Sequence, residues 1–455
     1  MLSVFCCDTP LMTPYQRFCH KVLLPISDKA LGYDVSRRFD ELQQFQWKTR
    51  QEIQEYRGRR LRELVQLAAD RVPFYREHFQ RHGTTHRAIQ SADDLPRLPV
   101  VGKGDLRERP ATLMLEGYRG RTYEMKSSGS TGMQTTVYLD KACNSEVFAT
   151  QLLHLSWGGF TMGAPHLQTG MSLARGPVRQ LKDFIFRCSY TSAFELTDAR
   201  LADAVRDIER RRIRTVMGYA SSLFVFAKYL NRTGRRLEMD SSFTWGDSLF
   251  PHYRELIEST VGCRVTDCYG LGEGLQCAAQ CERHDALHEH MHGVIVEIVD
   301  HHGQPVPEGQ IGRVLVTRLE AGPMPLIRYD TGDVASFVSG ACGCGRQLCR
   351  ISRIQGRATD IVTTPGGDRL IVHVFTQIFE MIPEIRQFQV RQTEPASIRI
   401  LYVPADGFTT RLLERIRREI EGHCTRPPRI EFDRVDEIPL EQSNKRRFVI
   451  STVPF

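Results

Sequence analysis

Between about residues 140 and 275 the chain alternates helix-length amphipathic stretches with short β-branched or aromatic runs, and nothing else constrains its fold so tightly. The helix-like LADAVRDIERRR (201–212) precedes the strand-like TVMGYA (215–220), and the helix-like SLFVFAKYLNR (222–232) precedes the strand-like VTDCYG (265–270). Strands separated by helices pair in parallel, because a parallel pair needs a crossover long enough to hold a helix. The alternation predicts an α/β fold with βαβ units and a largely parallel sheet.

The flanking text reads differently. Residues 35 to 85 carry apolar side chains at helical spacing (Leu42, Phe45, Trp47, Ile53, Tyr56, Leu61, Leu64, Val65, Leu67, Ala68), with Val72-Pro73-Phe74-Tyr75 as a stop, and residues 86 to 110 read as loops. GVIVEIVD (293–300) and IGRVLVTRL (311–319), separated by the turn His302-Gly303-Gln304-Pro305, predict an antiparallel subdomain. Beyond Gly356 the strands RQFQVRQ, SIRILYVP and RIEFDRV surround the amphipathic helix RLLERIRREIEG. The expected organisation is a large N-terminal domain of mixed sheets with helices and that antiparallel subdomain, residues 1–356, and a small α+β C-terminal domain, residues 357–455. A chain of 455 residues exceeds the length at which one core usually stops growing, which fits two domains.

Charge narrows the function. The 61 basic residues are dispersed among 54 acidic ones, and the clusters Arg210 to Arg212 and Lys445 to Arg447 are short and lack interleaved aromatics, which argues against nucleic acid. No stretch approaches the roughly 18 to 20 apolar residues of a membrane span. MLSVFCCDTP has no basic n-region, so cytoplasm is the expected compartment, and the 13 cysteines read as reduced thiols or metal ligands.

The run Ser127-Ser128-Gly129-Ser130-Thr131-Gly132-Met133-Gln134-Thr135-Thr136 sits between two short extended segments. Its glycines let successive N–H groups converge and its hydroxyls add neutral donors, so it reads either as a phosphate nest or as a Ser/Gly linker. It is not a P-loop, since Met133 follows Gly132 where the motif has Lys. Tyr269-Gly270-Leu271-Gly272-Glu273-Gly274 is likewise no dinucleotide fingerprint: its glycines are wrongly spaced and it carries a carboxylate where phosphate would approach.

Taken in order, S-S-G-S-T-G (127–132), Y-G-L-G-E (269–273), I-R-Y-D-T-G-D (327–333), G-R-A-T-D (356–360) and S-N-K-R-R (443–447) resemble the adenylate-forming superfamily of acyl-CoA synthetases, most closely its phenylacetate-CoA ligase branch. LPISDKALG (24–32), QWKTRQE (46–52) and DRVPFYREHF (70–79) look like the head of CapK-type and coenzyme F390 synthetase-like members, so the resemblance runs from about residue 20 to the end.

The resemblance implies an ATP-dependent enzyme that makes an acyl-AMP from a carboxylic acid, with aryl acids the leading class, releases pyrophosphate and passes the acyl group to coenzyme A. Ser127, Ser128, Gly129, Ser130, Thr131 and Gly132 would hold the β- and γ-phosphates. Glu273 would offer a hard oxygen to Mg²⁺, and Tyr269 with Gly270 would lie at the adenine. Asp333 suits ribose, whose vicinal hydroxyls one carboxylate can accept, and Arg357 would add a ribose or phosphate contact. Gly246 and Asp247, after Trp245, match the adenine-side loop, and Gly218-Tyr219 is a candidate pocket wall. Lys445 takes the place of the family's catalytic lysine, whose cation offsets charge developing at the carboxylate and α-phosphate. Asp360 falls at the hinge about which the C-terminal domain turns between half-reactions.

Three positions depart from the family pattern: Met133 for a lysine, Gly272 for a threonine, and Asn444 for the glycine of Ser-Gly-Lys. Other acceptors stay in view, namely a carrier-protein thiol, an amine or a sugar hydroxyl, as does a catalytically silent, zinc-containing binding protein. The implied partner is a small-molecule carboxylic acid, and a homodimer is left open.

Cysteine spacing adds a metal site. Cys281 and His288 form C-x6-H, and Cys342-Gly343-Cys344 follows in a glycine-rich knuckle, a Cys3His set suited to structural Zn²⁺. Cys277, His284 and Cys349 compete as ligands, and the run His288, His290, His292 leaves the choice of imidazole open.

Overall fold

The structure, a computed structural model, describes residues 12–126, 135–170, 176–193, 196–357, 360–379, 382–439 and 447–453. Helices α1 (Pro14–Phe18) and α2 (Leu24–Leu31), joined by a π-helical turn (Cys19–Leu23), lead into α3 (Val35–Phe45), α4 (Arg50–Arg71) and α5 (Pro73–Arg81). A capping box starts α4: the Glu52 carboxylate accepts from Thr49 N–H at 2.8 Å and the Thr49 hydroxyl accepts from Glu52 N–H at 3.3 Å. The expected stop at Val72-Pro73 ends α4, yet Pro73 is also the first residue of α5, where its missing N–H leaves no partner unmet. Residues 86 to 110 are less irregular than expected. They hold α6 (Lys103–Glu108), whose Asp105 carboxylate accepts from Gly102 N–H at 2.8 Å.

An antiparallel hairpin of β1 (Tyr123–Lys126) and β2 (Thr136–Leu139) flanks the hydroxyl-rich loop and leads into α7 (Lys141–Trp157), capped by Asp140. The βαβ series follows as β3 (His166–Gly170), α8 (Pro177–Ile185), β4 (Cys188–Ser192), α9 (Asp198–Arg211), β5 (Thr215–Tyr219), α10 (Ala220–Arg232), β6 (Ser241–Trp245), α11 (Pro251–Val261) and β7 (Val265–Leu271). Then come β8 (Leu275–Gln280), β9 (Leu287–Glu289), β10 (Val294–Val299), β11 (Gly312–Arg318), β12 (Tyr329–Ala335) and β13 (Arg350–Ile351).

One eight-stranded sheet has the order β13-β9-β8-β7-β6-β5-β3-β4. It is parallel from β4 to β7, as the alternation predicts, but antiparallel from β7 to β13. Only residues 272–274 separate β7 from β8, too few for a crossover, so the chain must turn back as a hairpin. The expected antiparallel subdomain is the sheet β10-β11-β12.

The last hundred residues hold a hairpin of β14 (Val362–Thr363) and β15 (Arg369–Leu370), then α12 (Val372–Phe379), β16 (Ile385–Glu394), β17 (Ser397–Pro404), α13 (Arg411–Glu421), β18 (Arg429–Arg434) and β19 (Val449–Ser451), with the four long-range strands ordered β18-β17-β16-β19. One apolar cluster runs from Leu223, Phe224 and Ile257 on α10 and α11 into Phe375, Phe379 and Phe388, so the C-terminal unit packs on the helices that cover the parallel sheet. A second cluster joins α4 and α5 to β10, β11 and β12, and a third joins α3 and α7 to the cysteine-rich segment.

Candidate functional site

The site forms where β7 turns into β8 beside β12. Strand β7 carries Tyr269 and Gly270, and the turn after it carries Glu273, which is 4% exposed. Tyr329, Thr331 and Asp333 lie on β12 at a spacing of two, the period that sends side chains to one face of a strand. The Tyr329 hydroxyl donates to Glu273 Oε1 at 2.6 Å and the Tyr269 hydroxyl donates to Asp333 Oδ2 at 2.8 Å. The result is two tyrosine–carboxylate pairs side by side, with the charge of Glu273 acting on Asp333.

Burial drives the electrostatics. It pushes the Asp333 carboxyl above the usual carboxylate range, and Arg357 and Lys103 oppose the shift. Arg357 Nε stands 3.9 Å from Asp333 Oδ1, and the two residues also form an isolated antiparallel bridge. Burial, reinforced by the neighbouring carboxylates, raises both phenols far above their ordinary value, so Tyr269 and Tyr329 stay protonated and act as donors. Thr331 Oγ1 accepts from Asp333 N–H at 3.0 Å and donates to the Val314 carbonyl at 2.9 Å, which fixes the strand beneath the carboxylate.

The loop after β6 is held by its own carboxylate. Asp247 accepts from Ala220 N–H at 2.6 Å and Ser221 N–H at 3.1 Å, and so caps α10 from a distant part of the chain. Gly246 takes φ +80°, and a Cβ there would lie 2.5 Å from Tyr219 Cε1, so Gly246, Asp247 and the expected wall Gly218-Tyr219 form one unit. Gly274, at φ +75°, plays a similar part: a Cβ there would meet Leu139 Cδ1 at 2.4 Å, so the Glu273 turn rests on the hairpin flanking the hydroxyl-rich loop. Thr135, the first described residue of that run, is a hydrogen-bonding neighbour of Tyr329.

The structure thus brings Tyr269, Gly270, Glu273, Asp333 and Arg357 together, with Gly246 and Asp247 on the neighbouring parallel strand end. Ser127, Ser128, Gly129, Ser130, Thr131, Gly132 and Met133 lie outside the described residues, as do Asn444 and Lys445. Asp360 is described, and its Oδ1 accepts from Arg447 Nε at 3.0 Å. Three members of the site were not singled out from sequence. Tyr329 and Thr331 stood inside I-R-Y-D-T-G-D, and the strand period from Asp333 would have found them. Lys103, whose Nζ would lie 3.3 Å from a Cβ on Gly332, reaches the site from α6 with no local signal.

The cysteine-rich segments converge as expected. Donor atoms of Cys281, His288, Cys342 and Cys344 all lie within 4.8 Å of one another. Cys281 Sγ is 3.8 Å from Cys342 Sγ, and Cys344 Sγ is 3.5 Å from His288 Nε2. Tetrahedral ligands about 2.3 Å (S) and 2.1 Å (N) from zinc would be about 3.8 Å and 3.6 Å apart, so the four donors fit that ion. Hydrogen bonding from Cys281 and His288 pulls the Cys344 thiol below its ordinary value, while the same contact pushes Cys281 up and burial pushes Cys342 up, so the three sulfurs titrate together. Of the competing ligands, Cys277 lies buried outside this group, His284 Nδ1 lies 3.1 Å from the Val265 carbonyl, Cys349 Sγ accepts from Arg50 Nη2 at 2.9 Å, and His290 and His292 meet Glu146 at 3.2 and 2.8 Å.

The chain is similar to known proteins over most of its length. Residues 362–452 match the family model of the CapK C-terminal domain. The phenylacetate-coenzyme A ligase of Thermus thermophilus is 25% identical over 442 residues, covering 88% of this chain and 97% of that protein. The enzyme of the same name from Pseudomonas putida is 26% identical over 352 residues, covering 74% and 76%. Among solved structures, 2-hydroxyisobutyryl-CoA ligase in the postadenylation state superposes with a TM-score of 0.71 at 19% identity, covering 89% of this chain and 90% of that one. The chain is a homologue of the phenylacetate-coenzyme A ligases, built on the fold of the adenylate-forming CoA ligases and ending in a CapK C-terminal domain.

Proposed function

We propose that this chain is an acid–thiol ligase that activates a carboxylic acid, aryl as in the phenylacetate-coenzyme A ligases, with ATP and then transfers the acyl group to coenzyme A. The observation that carries the reading is the pair of tyrosine-held carboxylates, Glu273 and Asp333, set beside the foot of the hydroxyl-rich loop. In the first half-reaction a substrate carboxylate oxygen attacks the α-phosphorus, the bond to the β-phosphate oxygen breaks, and pyrophosphate leaves. Residues 127–132 hold the departing phosphates, and Lys445 offsets charge on the attacking and α-phosphate oxygens. Asp333 accepts from the ribose hydroxyls with Arg357 beside it, and Tyr269 keeps that carboxylate oriented. Tyr329 occupies one oxygen of Glu273 and leaves the other for Mg²⁺, which when bound neutralises phosphate charge.

In the second half-reaction the coenzyme A thiolate attacks the acyl carbon and AMP leaves. The boundary at residues 356 and 357, with Asp360 as pivot, lets the C-terminal domain withdraw Lys445 and admit the thiol. Zn²⁺ on Cys281, His288, Cys342 and Cys344 fills all four positions with protein and serves structure alone. A cytoplasmic location and a homodimer belong to the same proposal. The CapK C-terminal match favours one second reading, in which the acyl group goes to a carrier protein, an amine or a sugar hydroxyl.

Carboxylate-dependent ATP–pyrophosphate exchange over a panel of aryl and fatty acids tests the first half-reaction. Absence of exchange with every acid, in folded protein, would favour the silent zinc-containing alternative. Where exchange occurs, AMP release that requires coenzyme A identifies it as the acceptor.

A further inference from the structure

Nine large hydrophobic side chains are exposed among the described residues, and seven belong to one corner of the molecule. Phe18, Val22, Ile26 and Leu31 line the outer side of α1, the π turn and α2, while Phe148 on α7 and Leu181 and Phe184 on α8 stand beside them; Ile26 is 61% and Phe184 78% exposed. Specific contacts join the pieces into one face. The Tyr15 hydroxyl donates to the Ile185 carbonyl at 2.5 Å and the Arg187 guanidinium lies 4.0 Å over the Tyr15 ring, which seats α1 on the end of α8. Tyr33 and Phe148 meet edge to face at 6.2 Å, Lys182 Nζ lies 5.9 Å from the Phe148 ring centre, and Lys141 Nζ donates to the Leu31 carbonyl at 2.5 Å.

The charge on this face has one sign. Arg17, Lys21, Lys29 and Lys182 are exposed and form no ion pair among the described residues. The nearby acids look elsewhere: Asp28 is buried and accepts from Ser36 N–H at 2.7 Å, Asp34 pairs with Arg37, and the charge of Asp183 acts on buried His166. A contiguous apolar patch edged by cations marks a docking surface, where scattered apolar residues would not.

We propose that this face docks on the surface of an anionic bilayer, with Phe18, Val22, Ile26, Leu181 and Phe184 at the boundary of headgroups and acyl chains and the four cations on lipid phosphates. Short helices with one apolar side and flanking Lys and Arg lie in the plane of the interface. Spanning is excluded for the described helices, none of which is long and apolar enough. A second copy is the poorer occupant, because a two-fold contact through this patch would set one cationic rim against another. The proposal does not depend on the ligase reading.

Sedimentation of the full chain with vesicles tests it. Vesicles of one part phosphatidylglycerol to two parts phosphatidylcholine should carry the protein down, phosphatidylcholine alone should bind at least about tenfold less, and raising NaCl from about 0.1 to about 0.5 M should release it. Lys21→Gln with Lys29→Gln should weaken partitioning about thirtyfold, and Ile26→Asp with Phe184→Asp should abolish it, each variant keeping the wild-type melting temperature. Equal binding to both vesicles, no binding to either, or partitioning unchanged in the variants would overturn the assignment. So would a dimer, seen by light scattering, that Phe184→Asp converts to monomer in protein that ignores vesicles. The wild-type salt titration decides the matter even where a variant misfolds.

Discussion

Replacing Tyr329 by Phe removes one oxygen and leaves the ring in place, so packing changes little and the loss is confined to the phenol's hydrogen bonds, that with Thr135 and the stronger one to Glu273. The latter, 2.6 Å from the phenol to Glu273 Oε1, serves a carboxylate only 4% exposed, where water cannot easily substitute. A hydrogen bond to a charged group contributes about 1.5 to 3 kcal/mol. If the bond holds Glu273 at the angle that adenylation requires, the same energy appears in the transition state, and kcat/KM for ATP–pyrophosphate exchange should fall by about 10- to 150-fold. A merely structural bond would instead lower the urea midpoint and spare exchange by the folded enzyme. Titrating Mg²⁺ in the exchange assay separates the cases, since a displaced Glu273 should raise the concentration needed for half-maximal rate. Exchange within twofold of wild type and an unchanged Mg²⁺ requirement would refute the claim that Tyr329 orients Glu273.

Lys445→Ala should remove adenylation while thioester formation from supplied acyl-AMP stays nearly intact; equal loss of both, measured as separate half-reactions, would sink the two-pose mechanism. For zinc, metal analysis of purified protein should give about one equivalent per chain, and Cys281→Ser should lose it and lower the melting temperature. Less than about half an equivalent in wild type would count against the site. Asp267 offers a pH test: burial pushes its carboxyl up to about 6, opposed by Arg254 and the Thr244 hydroxyl. Its folded value lies above its unfolded one, so its contribution to stability is full below about pH 4 and is lost as pH rises through 6, a change of about 3 kcal/mol. Asp267→Asn should therefore gain stability relative to wild type between about pH 4 and 7, and melting curves with a constant difference across that range would contradict the assignment.

The parallel half of the central sheet was legible because its strands are apolar, short and separated by helices with strong period, as in TVMGYA before α10. The antiparallel half was not, since the composition of short runs such as VTDCYG and LQCAAQ does not set strand direction; only the brevity of the turn between them does. Motif residues such as Glu273 and Asp333 could be named from sequence, but the tyrosines holding them could not be weighed there, because a phenol and a carboxylate 56 or 64 positions apart meet only through the sheet. Lys103 was still less accessible, arriving from an irregular stretch that reads as loop. The candidate metal ligands were told from their competitors only by distance, His290 and His292 turning to Glu146 while His288 turns to Cys344.

The ion pair between Asp360 and Arg447 spans the proposed pivot and the stretch of chain two residues past Lys445, and both side chains are largely shielded, at 16% and 14% exposure. If the chain bends just beyond Asp360, a rotation that carries the segment of Arg447 away parts these charges, and the pair then acts as a latch on the first pose. Dissolved ions reach parted charges more readily than joined ones and lower the cost of separating them. The two half-reactions should then answer to salt in opposite ways, adenylation favouring low ionic strength and turnover through the thioester gaining as the latch loosens. Ionic strength would thereby act as a throttle on domain exchange, set by a single ion pair.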